Sequence, residues 1–266
     1  MKQHTFRRRT MQRTGLTFFT FICLGLTDVL AERIINGNQA KPHSHPYMAA
    51  LFKGFMLNCG GFLIHKEFIL TAAHCEAYPM TVRLGAHNLS KDEPSIQEIK
   101  VKKEDVFHHP KYNKYNQWND IMLVKLRPAA KLTKGVNIIK IPKTDQNVKV
   151  DTKCSVAGWG KMATRGMTSD VLMEVPVKVE NQSECASRKN YHNLNANMIC
   201  ATGDGIKGTC KGDSGGPLVC DKPSNALGIV SFSIRDSCED PNRISLYTRV
   251  SAYLPWIKTI LKSKAD

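Results

Sequence analysis

The apolar positions of the chain come mostly in short runs, broken every few residues by Gly, Pro, Asn or Asp, as in Phe62-Leu63-Ile64, Phe68-Ile69-Leu70, Ile121 to Leu126 and Leu227 to Phe232. Runs this short, bounded by turn formers, predict the strands of an all-β sandwich or barrel. Between Pro142 and Thr152 the pattern turns polar and Lys-rich, which reads as a bridge between two β halves. Two stretches depart from this pattern. Ser251 to Lys264 sets Leu254, Ile257, Ile260 and Leu261 at helical spacing, with Ser251 available as N-cap, and predicts a closing helix over about 251–264. The other is the start of the chain, basic through Arg13 and then apolar from Leu16 to Leu26, which is the pattern of a secretory signal. That apolar run is about half the length of a membrane span, so no span is expected after signal removal. Val29-Leu30-Ala31 suits signal peptidase and gives a signal over 1–31 with Glu32-Arg33 as a two-residue propeptide, although a cut after Gly25 also fits.

With 266 residues, 42% of them hydrophobic, the chain can bury a core as one large domain or two small ones. It carries 38 Lys plus Arg against 23 Asp plus Glu. Six of the basic and two of the acidic residues precede Ile34, so 32 and 21 remain beyond the leader and the body keeps a charge of +11. Nine cysteines is an odd number, but Cys23 lies inside the apolar leader and leaves with it. The other eight form an even set with no CxxC pair, consistent with a disulfide framework in an oxidising compartment rather than a metal site.

The chemistry concentrates in three places. Gly212-Asp213-Ser214-Gly215-Gly216-Pro217 sets a serine among glycines that let a substrate approach the backbone. A serine hydroxyl is a poor nucleophile alone: it needs a base, an acid that orients the base, and N–H donors for the oxyanion that forms. Thr71-Ala72-Ala73-His74-Cys75 supplies the histidine, and Asn119-Asp120-Ile121-Met122-Leu123 supplies an acid entering an apolar run, where it needs a partner. The chain order His, Asp, Ser separates this set from α/β-hydrolases and subtilisins.

Over essentially all of Ile34 to Asp266 the sequence resembles the chymotrypsin-like serine proteases. Within them it is most similar to the granule-stored granzymes and mast-cell proteases, through Lys41-Pro42-His43-Ser44-His45-Pro46-Tyr47-Met48, Leu84-Gly85-Ala86-His87-Asn88 and Ser251-Ala252-Tyr253-Leu254-Pro255-Trp256-Ile257. The resemblance implies two packed antiparallel six-stranded β-barrels, about 34–140 and about 150–250, with the closing helix at the C-terminus. It implies a serine endopeptidase with Ser214 as nucleophile, His74 as general base and then acid, Asp120 orienting the imidazole, and the N–H groups of Gly212 and Ser214 as the oxyanion hole. Cleavage before Ile34-Ile35-Asn36-Gly37 would free an α-ammonium to pair with buried Asp213, so the precursor should be inactive. The cysteines would pair as Cys59–Cys75, Cys154–Cys220, Cys185–Cys200 and Cys210–Cys238. The last of these is more like granzymes A and K or neutrophil elastase than granzyme B.

The same resemblance puts Gly208, six residues before Ser214, at the floor of the primary specificity pocket, with Ser233 and Ser245 as walls and Thr209, Lys211, Ser231 and Phe232 around it. With no anion at the floor, cleavage after Lys or Arg is disfavoured, and the serine walls favour small to medium apolar P1 residues such as Val, Leu or Met. Arg243 lies near a position used by Asp-specific granzymes, but counting back from Tyr247 the matching residue is Ser245, which argues against aspartate specificity. Lys211 reads either as a group favouring acidic residues around the scissile bond or as a solvated lysine. Asn88-Leu89-Ser90 and Asn181-Gln182-Ser183 fit the N-glycosylation pattern. No cofactor or metal is expected: Ala86 stands where some relatives have a calcium-ligating carboxylate, and His108-His109 reads as a loop feature. A monomer is expected, secreted or stored in secretory granules, meeting protein substrates and protein protease inhibitors. The cationic body suits sulfated glycosaminoglycans and, for nucleic acid, only non-specific contact. The competing reading is a cationic glycosaminoglycan-binding or antimicrobial protein with little proteolysis. The presence of all three triad residues argues against it.

Overall fold

The computed structural model describes residues 37–187, 194–220, 224–234 and 237–265. The signal segment 1–31, Glu32-Arg33 and Ile34 lie outside the described residues. The N-terminal half contributes β1 (Asn38–Gln39), β2 (Met48–Lys53), β3 (Met56–His65), β4 (Phe68–Thr71), β5 (Met80–Leu84), β6 (Gln97–Val101), β7 (Val106–His108) and β8 (Met122–Lys125). The C-terminal half contributes β9 (Lys153–Gly158), β10 (Met173–Val179), α1 (Gln182–Ser187), β11 (Met198–Thr202), β12 (Pro217–Cys220), β13 (Asn225–Ile234), β14 (Ile244–Arg249) and α2 (Leu254–Lys264).

All the strand pairs are antiparallel, and they form two sheets. In the second, β9, β10, β11, β14, β13 and β12 run in that order and β12 returns to β9, closing a six-stranded barrel to which β1 is added on β10. The first sheet, in the order β6-β5-β2-β3-β4-β8-β7, stays open between β6 and β7 and forms a half-barrel of seven strands. The two-barrel architecture expected from the sequence is therefore present, with hydrogen-bonded closure in the C-terminal half.

Alternation sets the inward faces. In β10, Met173, Val175, Val177 and Val179 are buried while Pro176 and Lys178 are exposed, the period of two that a sheet with one packed face requires. β4 and β8 are instead buried at every position, Thr71 and Lys125 at their ends included, which marks them as central strands. Phe62, Phe68, Ile69, Leu70 and Leu123 form the core of the half-barrel, and Val156, Val175, Leu218 and Tyr247 that of the closed barrel.

The closing helix begins later than the sequence predicts. Val250–Tyr253 is a 3-10 turn, and the α-helix runs from Leu254 with Pro255 in its first turn. Ser251 is not the N-cap: its hydroxyl donates to Asp145 Oδ1 at 2.9 Å and accepts from Arg249 Nη1 at 3.1 Å, so a polar network tying the inter-sheet segment to β14 takes the group that capping would use. Ile257 is buried in the half-barrel core, with Trp256, Ile260 and Leu261 packed beside it, while Lys258, Lys262 and Lys264 face solvent. Among the described residues no helix is long and apolar enough to cross a membrane.

Disulfides Cys59–Cys75, Cys154–Cys220 and Cys210–Cys238 are formed. Cys185 on α1 and Cys200 on β11 are buried in one apolar cluster with Ile244 and Leu246. Their pairing is not among the three bridges formed between described residues.

Candidate active site

Strand register brings the histidine and the acid together. β4 and β8 pair with Thr71 opposite Met122. His74 follows β4 by three residues and Asp120 precedes β8 by two, so both emerge from the same end of the pair. Asp120 Oδ2 accepts from His74 Nδ1 at 2.7 Å and Oδ1 accepts from the His74 backbone N–H at 3.0 Å. The carboxylate is fully buried, and a third donor, the Ser231 hydroxyl on β13, also reaches Oδ2. Thr248 on β14 donates to the Asp120 carbonyl at 2.9 Å. Three donors on one buried carboxylate offset its desolvation. Because a carboxylate only accepts, Nδ1 carries the imidazole proton and Nε2 turns its lone pair the other way.

The serine loop is fastened from both sides. Gly215 N–H donates to Val230 O at 2.7 Å, Val230 N–H to Gly216 O at 2.8 Å, and Gly60 N–H to the Ser214 carbonyl at 2.7 Å. Gly215, the residue after Ser214, has φ +81°, and a Cβ on it would sit 2.1 Å from Thr71 Oγ1 and 2.4 Å from Gly60 O. The loop thus presses on Thr71, three residues before His74, an approach only glycine permits. Gly215→Ala should cost about 3 kcal/mol or more in folding free energy, from overpacking and the left-handed backbone together. Equilibrium denaturation of the Ser214→Ala background measures it. Among the described residues, neither Gly212 N–H nor Ser214 N–H donates to a protein acceptor.

Asp213 turns away from this face into the protein and is 2% exposed. Its Oδ1 accepts from Gly160 N–H and its Oδ2 from Cys210 N–H, both at 2.8 Å. Burial pushes its carboxyl up to about 6 against those two hydrogen bonds. A Cβ on Gly160 would lie 2.5 Å from the carboxyl carbon, so glycine there makes room for the acid.

At the pocket, Thr209 Oγ1 and Ser245 Oγ meet at 3.1 Å, both buried. Ser231 is committed to Asp120, Phe232 packs toward the Cys185 and Cys200 cluster, and Lys211 is exposed with its carbonyl held by Lys161 N–H at 2.7 Å. Arg243, left outside the expected pocket by position counting, reaches the space beside Gly208. Arg243 immediately precedes β14, two residues before Ser245. Arg243 Nη2 donates to Ser233 Oγ at 2.6 Å, and Nη1 stands 3.8 Å from the Cβ position of Gly208. Burial pushes the guanidinium pKa down. The signal that could have found it is side-chain length: an arginine two residues before a pocket wall reaches the same space.

The other candidate residues have these neighbours. His74 lies within ligand range of Cys59 and Cys75, but those two sulfurs are joined to each other. His108 stacks on Tyr112 and contacts Glu76 at 3.2 Å, whereas the His109 ring meets Tyr253 and Trp256 edge-on, so the two rings serve different neighbours. Asn88 Oδ1 accepts from Ser90 N–H at 2.9 Å, and Asn181 Oδ1 accepts from both the N–H and the hydroxyl of Ser183.

Buried acid, oriented histidine, and serine on a loop with two unused N–H donors define a class of hydrolase. Comparison with known proteins agrees with that class. The trypsin family model matches residues 34–257. Mouse granzyme B(G,H) is 46% identical over 88% of this chain and 93% of its own length, and sheep mast cell protease 3 is 43% identical over 87% and 90%. The solved structure of mouse neuropsin, a serine protease, superimposes with a TM-score of 0.77 at 37% identity, covering 85% of this chain and 98% of that one. The chain belongs to the trypsin family and is a serine endopeptidase.

Proposed function

We propose that peptide bonds are hydrolysed here through an acyl-enzyme on Ser214, carried by one observation above the rest: His74 Nδ1 held 2.7 Å from an Asp120 carboxylate that is itself fully buried. His74 Nε2 takes the Ser214 proton as the hydroxyl attacks the scissile carbonyl, then returns it to the leaving amine. Water repeats the sequence on the ester. The N–H groups of Gly212 and Ser214 hold the oxyanion, each donor being worth about 3 to 4 kcal/mol of transition-state stabilisation.

Activation follows cleavage before Ile34, whose α-ammonium enters beside Asp213. The raised carboxyl of Asp213 supports this: among the described residues this buried acid is hydrogen-bonded by backbone N–H groups and has no ion-pair partner, only the more distant field of Arg243. Full-length chain and protein trimmed to Ile34 are compared on a mixed peptide library. Trimming raises kcat/KM by at least about 100-fold, the cost of one missing oxyanion donor. Equal activity with Glu32-Arg33 still attached overturns the activation step, and cleavage that survives Ser214→Ala overturns the nucleophile.

The enzyme is proposed to be monomeric and secreted or granule-stored, with Cys185–Cys200 as a fourth bridge and glycans on Asn88 and Asn181. Peptide mass mapping of the secreted protein tests the bridge and the glycans. Its +11 body suits sulfated glycosaminoglycans, and protein inhibitors would enter the same cleft as substrates. The expectation of Val, Leu or Met at P1 rested on an uncharged pocket, and the buried Arg243 guanidinium alters that premise.

A further inference from the structure

The peptide plane that carries the Gly212 N–H also carries the Lys211 carbonyl, and in a trans peptide the two point in opposite directions. Lys161 N–H donates to that carbonyl at 2.7 Å, so one backbone hydrogen bond on the outer side of the loop sets the direction of the Gly212 N–H. Gly212 does little to hold the plane itself, with φ at +101°, where glycine turns freely, and no protein acceptor for its N–H among the described residues. Lys161 is held in turn by a small hairpin between β9 and β10. It bridges Thr168, Met162 N–H donates to Met167 O at 3.2 Å, and Gly166 N–H donates to Ala163 O at 2.9 Å across the tip.

Near that tip, Thr164 is fastened to the turn between β13 and β14. Glu239 Oε1 accepts from the Thr164 N–H at 2.8 Å, and Oε2 accepts from the Thr164 hydroxyl and, at 3.1 Å, from the Ser237 hydroxyl. The Thr164 hydroxyl also accepts from Cys238 N–H at 2.7 Å, so it serves as donor and acceptor at once. These bonds, the Thr164 hydroxyl first among them, pull the Glu239 carboxyl down to about 2 and keep it a charged acceptor near neutral pH. Cys238 is bridged to Cys210, the residue before Lys211. The contacts therefore close a ring: from Lys211 to Lys161, along the hairpin to Thr164, across to Glu239 and Cys238, and through the disulfide to Cys210.

We propose that Glu239 and Thr164 are positioning residues for the oxyanion hole, a clasp that holds the Lys211–Gly212 peptide plane with its N–H toward the reacting carbonyl. The proposal rests on the reading that Gly212 N–H is one of the oxyanion donors. The two residues act through Lys161 and Lys211 rather than on substrate. Gly160 and Cys210 grip the inner side of the loop through Asp213, but neither bond touches the Lys211–Gly212 plane. Without the clasp the hairpin loses its hold on the 237–240 turn, and the plane is free to turn its donor away. An oxyanion donor binds most strongly where charge develops on the carbonyl oxygen, so opening the clasp lowers kcat and leaves KM nearly unchanged.

The test uses chain cleaved before Ile34 in three variants. Thr164→Val removes the hydroxyl at nearly constant shape, Glu239→Gln removes the charge and one acceptor, and Thr164→Ser keeps the hydroxyl. Each is assayed for kcat, per titrated active site, and for KM on one peptide amide. Inhibition is measured with the matching peptide aldehyde, whose adduct on Ser214 puts an oxyanion in the hole, and with the corresponding alcohol, which forms no adduct. In Thr164→Val and Glu239→Gln, kcat falls about tenfold, part of the roughly 100-fold or more that losing a whole donor costs. Aldehyde affinity falls by the same factor, while KM and alcohol affinity stay put, and Thr164→Ser keeps wild-type kcat. Wild-type kcat and aldehyde affinity in both disabling variants, or a loss carried by KM alone, overturns the assignment. A wild-type enzyme that binds the aldehyde no tighter than the alcohol refutes the oxyanion reading itself, and the clasp with it.

Discussion

Ser214→Ala in protein trimmed to Ile34 is expected to lower kcat on the order of 10⁶-fold, and adding His74→Ala to it to change little more, because residues that act as a unit are lost together. Asp120→Asn should cost less, on the order of 10⁴-fold, by a mechanism this structure makes specific. Asp120 Oδ1 already accepts from the His74 backbone N–H, and Oδ2 accepts from both His74 Nδ1 and the Ser231 hydroxyl. An asparagine has to place its NH2 on one of those sides. Keeping its oxygen on the backbone N–H turns the NH2 toward Nδ1 and Ser231, so the imidazole takes the other tautomer and Nε2 carries the proton it should accept. Turning the amide over sets NH2 against the His74 N–H and disturbs the 3-10 turn that carries the residue. Both choices misplace the base. Steady-state kcat on the best P1 peptide measures the series, and an Asp120→Asn enzyme within tenfold of wild type would show that Asp120 does not orient the base.

The residues of this site could be read from the sequence because each sits in a stretch with its own signature, but what unites them is pairing that no local pattern displays. Thr71 opposite Met122 is a register, and register is fixed by which faces of β4 and β8 are buried. Both strands are buried at every position, Thr71 and Lys125 included, so alternation gave no handle on it. Ser231 is expected only among the residues around the pocket, and its hydroxyl also donates to Asp120, a contact between the two sheets that arises only when they pack. Arg243 was set aside by counting positions from Tyr247. Counting places a Cα correctly, but it says nothing of where a side chain of arginine's length ends. The helix start was missed for a related reason: a serine suited to capping was claimed by Asp145 and Arg249 from other segments.

The second large effect belongs to Asp213. In the uncut precursor Ile34 is still in a peptide bond, so this carboxyl has its two backbone donors and the more distant field of Arg243. Its folded value of about 6 lies above the ordinary 3.8, so the folded chain binds a proton that the unfolded chain releases between those values. Stability is then fullest below about pH 4 and falls as pH rises toward 6, by about 3 kcal/mol for a shift of this size. Asp213→Asn removes that slope. It also sets an NH2 against one of two N–H donors, at a cost of about 1 to 3 kcal/mol that does not depend on pH. The variant precursor should therefore be less stable than wild type at pH 4 and gain about 3 kcal/mol relative to it by pH 7, read from urea unfolding at both values. In trimmed enzyme the sign reverses. On the proposed activation the carboxylate would gain an ammonium partner there, and removing it should strand a buried charge at about 3 to 5 kcal/mol, release the loop that holds Gly212 and Ser214, and lower kcat/KM by about 100-fold or more. The same substitution thus relieves the precursor and disables the enzyme, which is what a carboxyl kept short of its partner until activation requires. Precursor curves for wild type and variant that stay parallel from pH 4 to 7 would refute it.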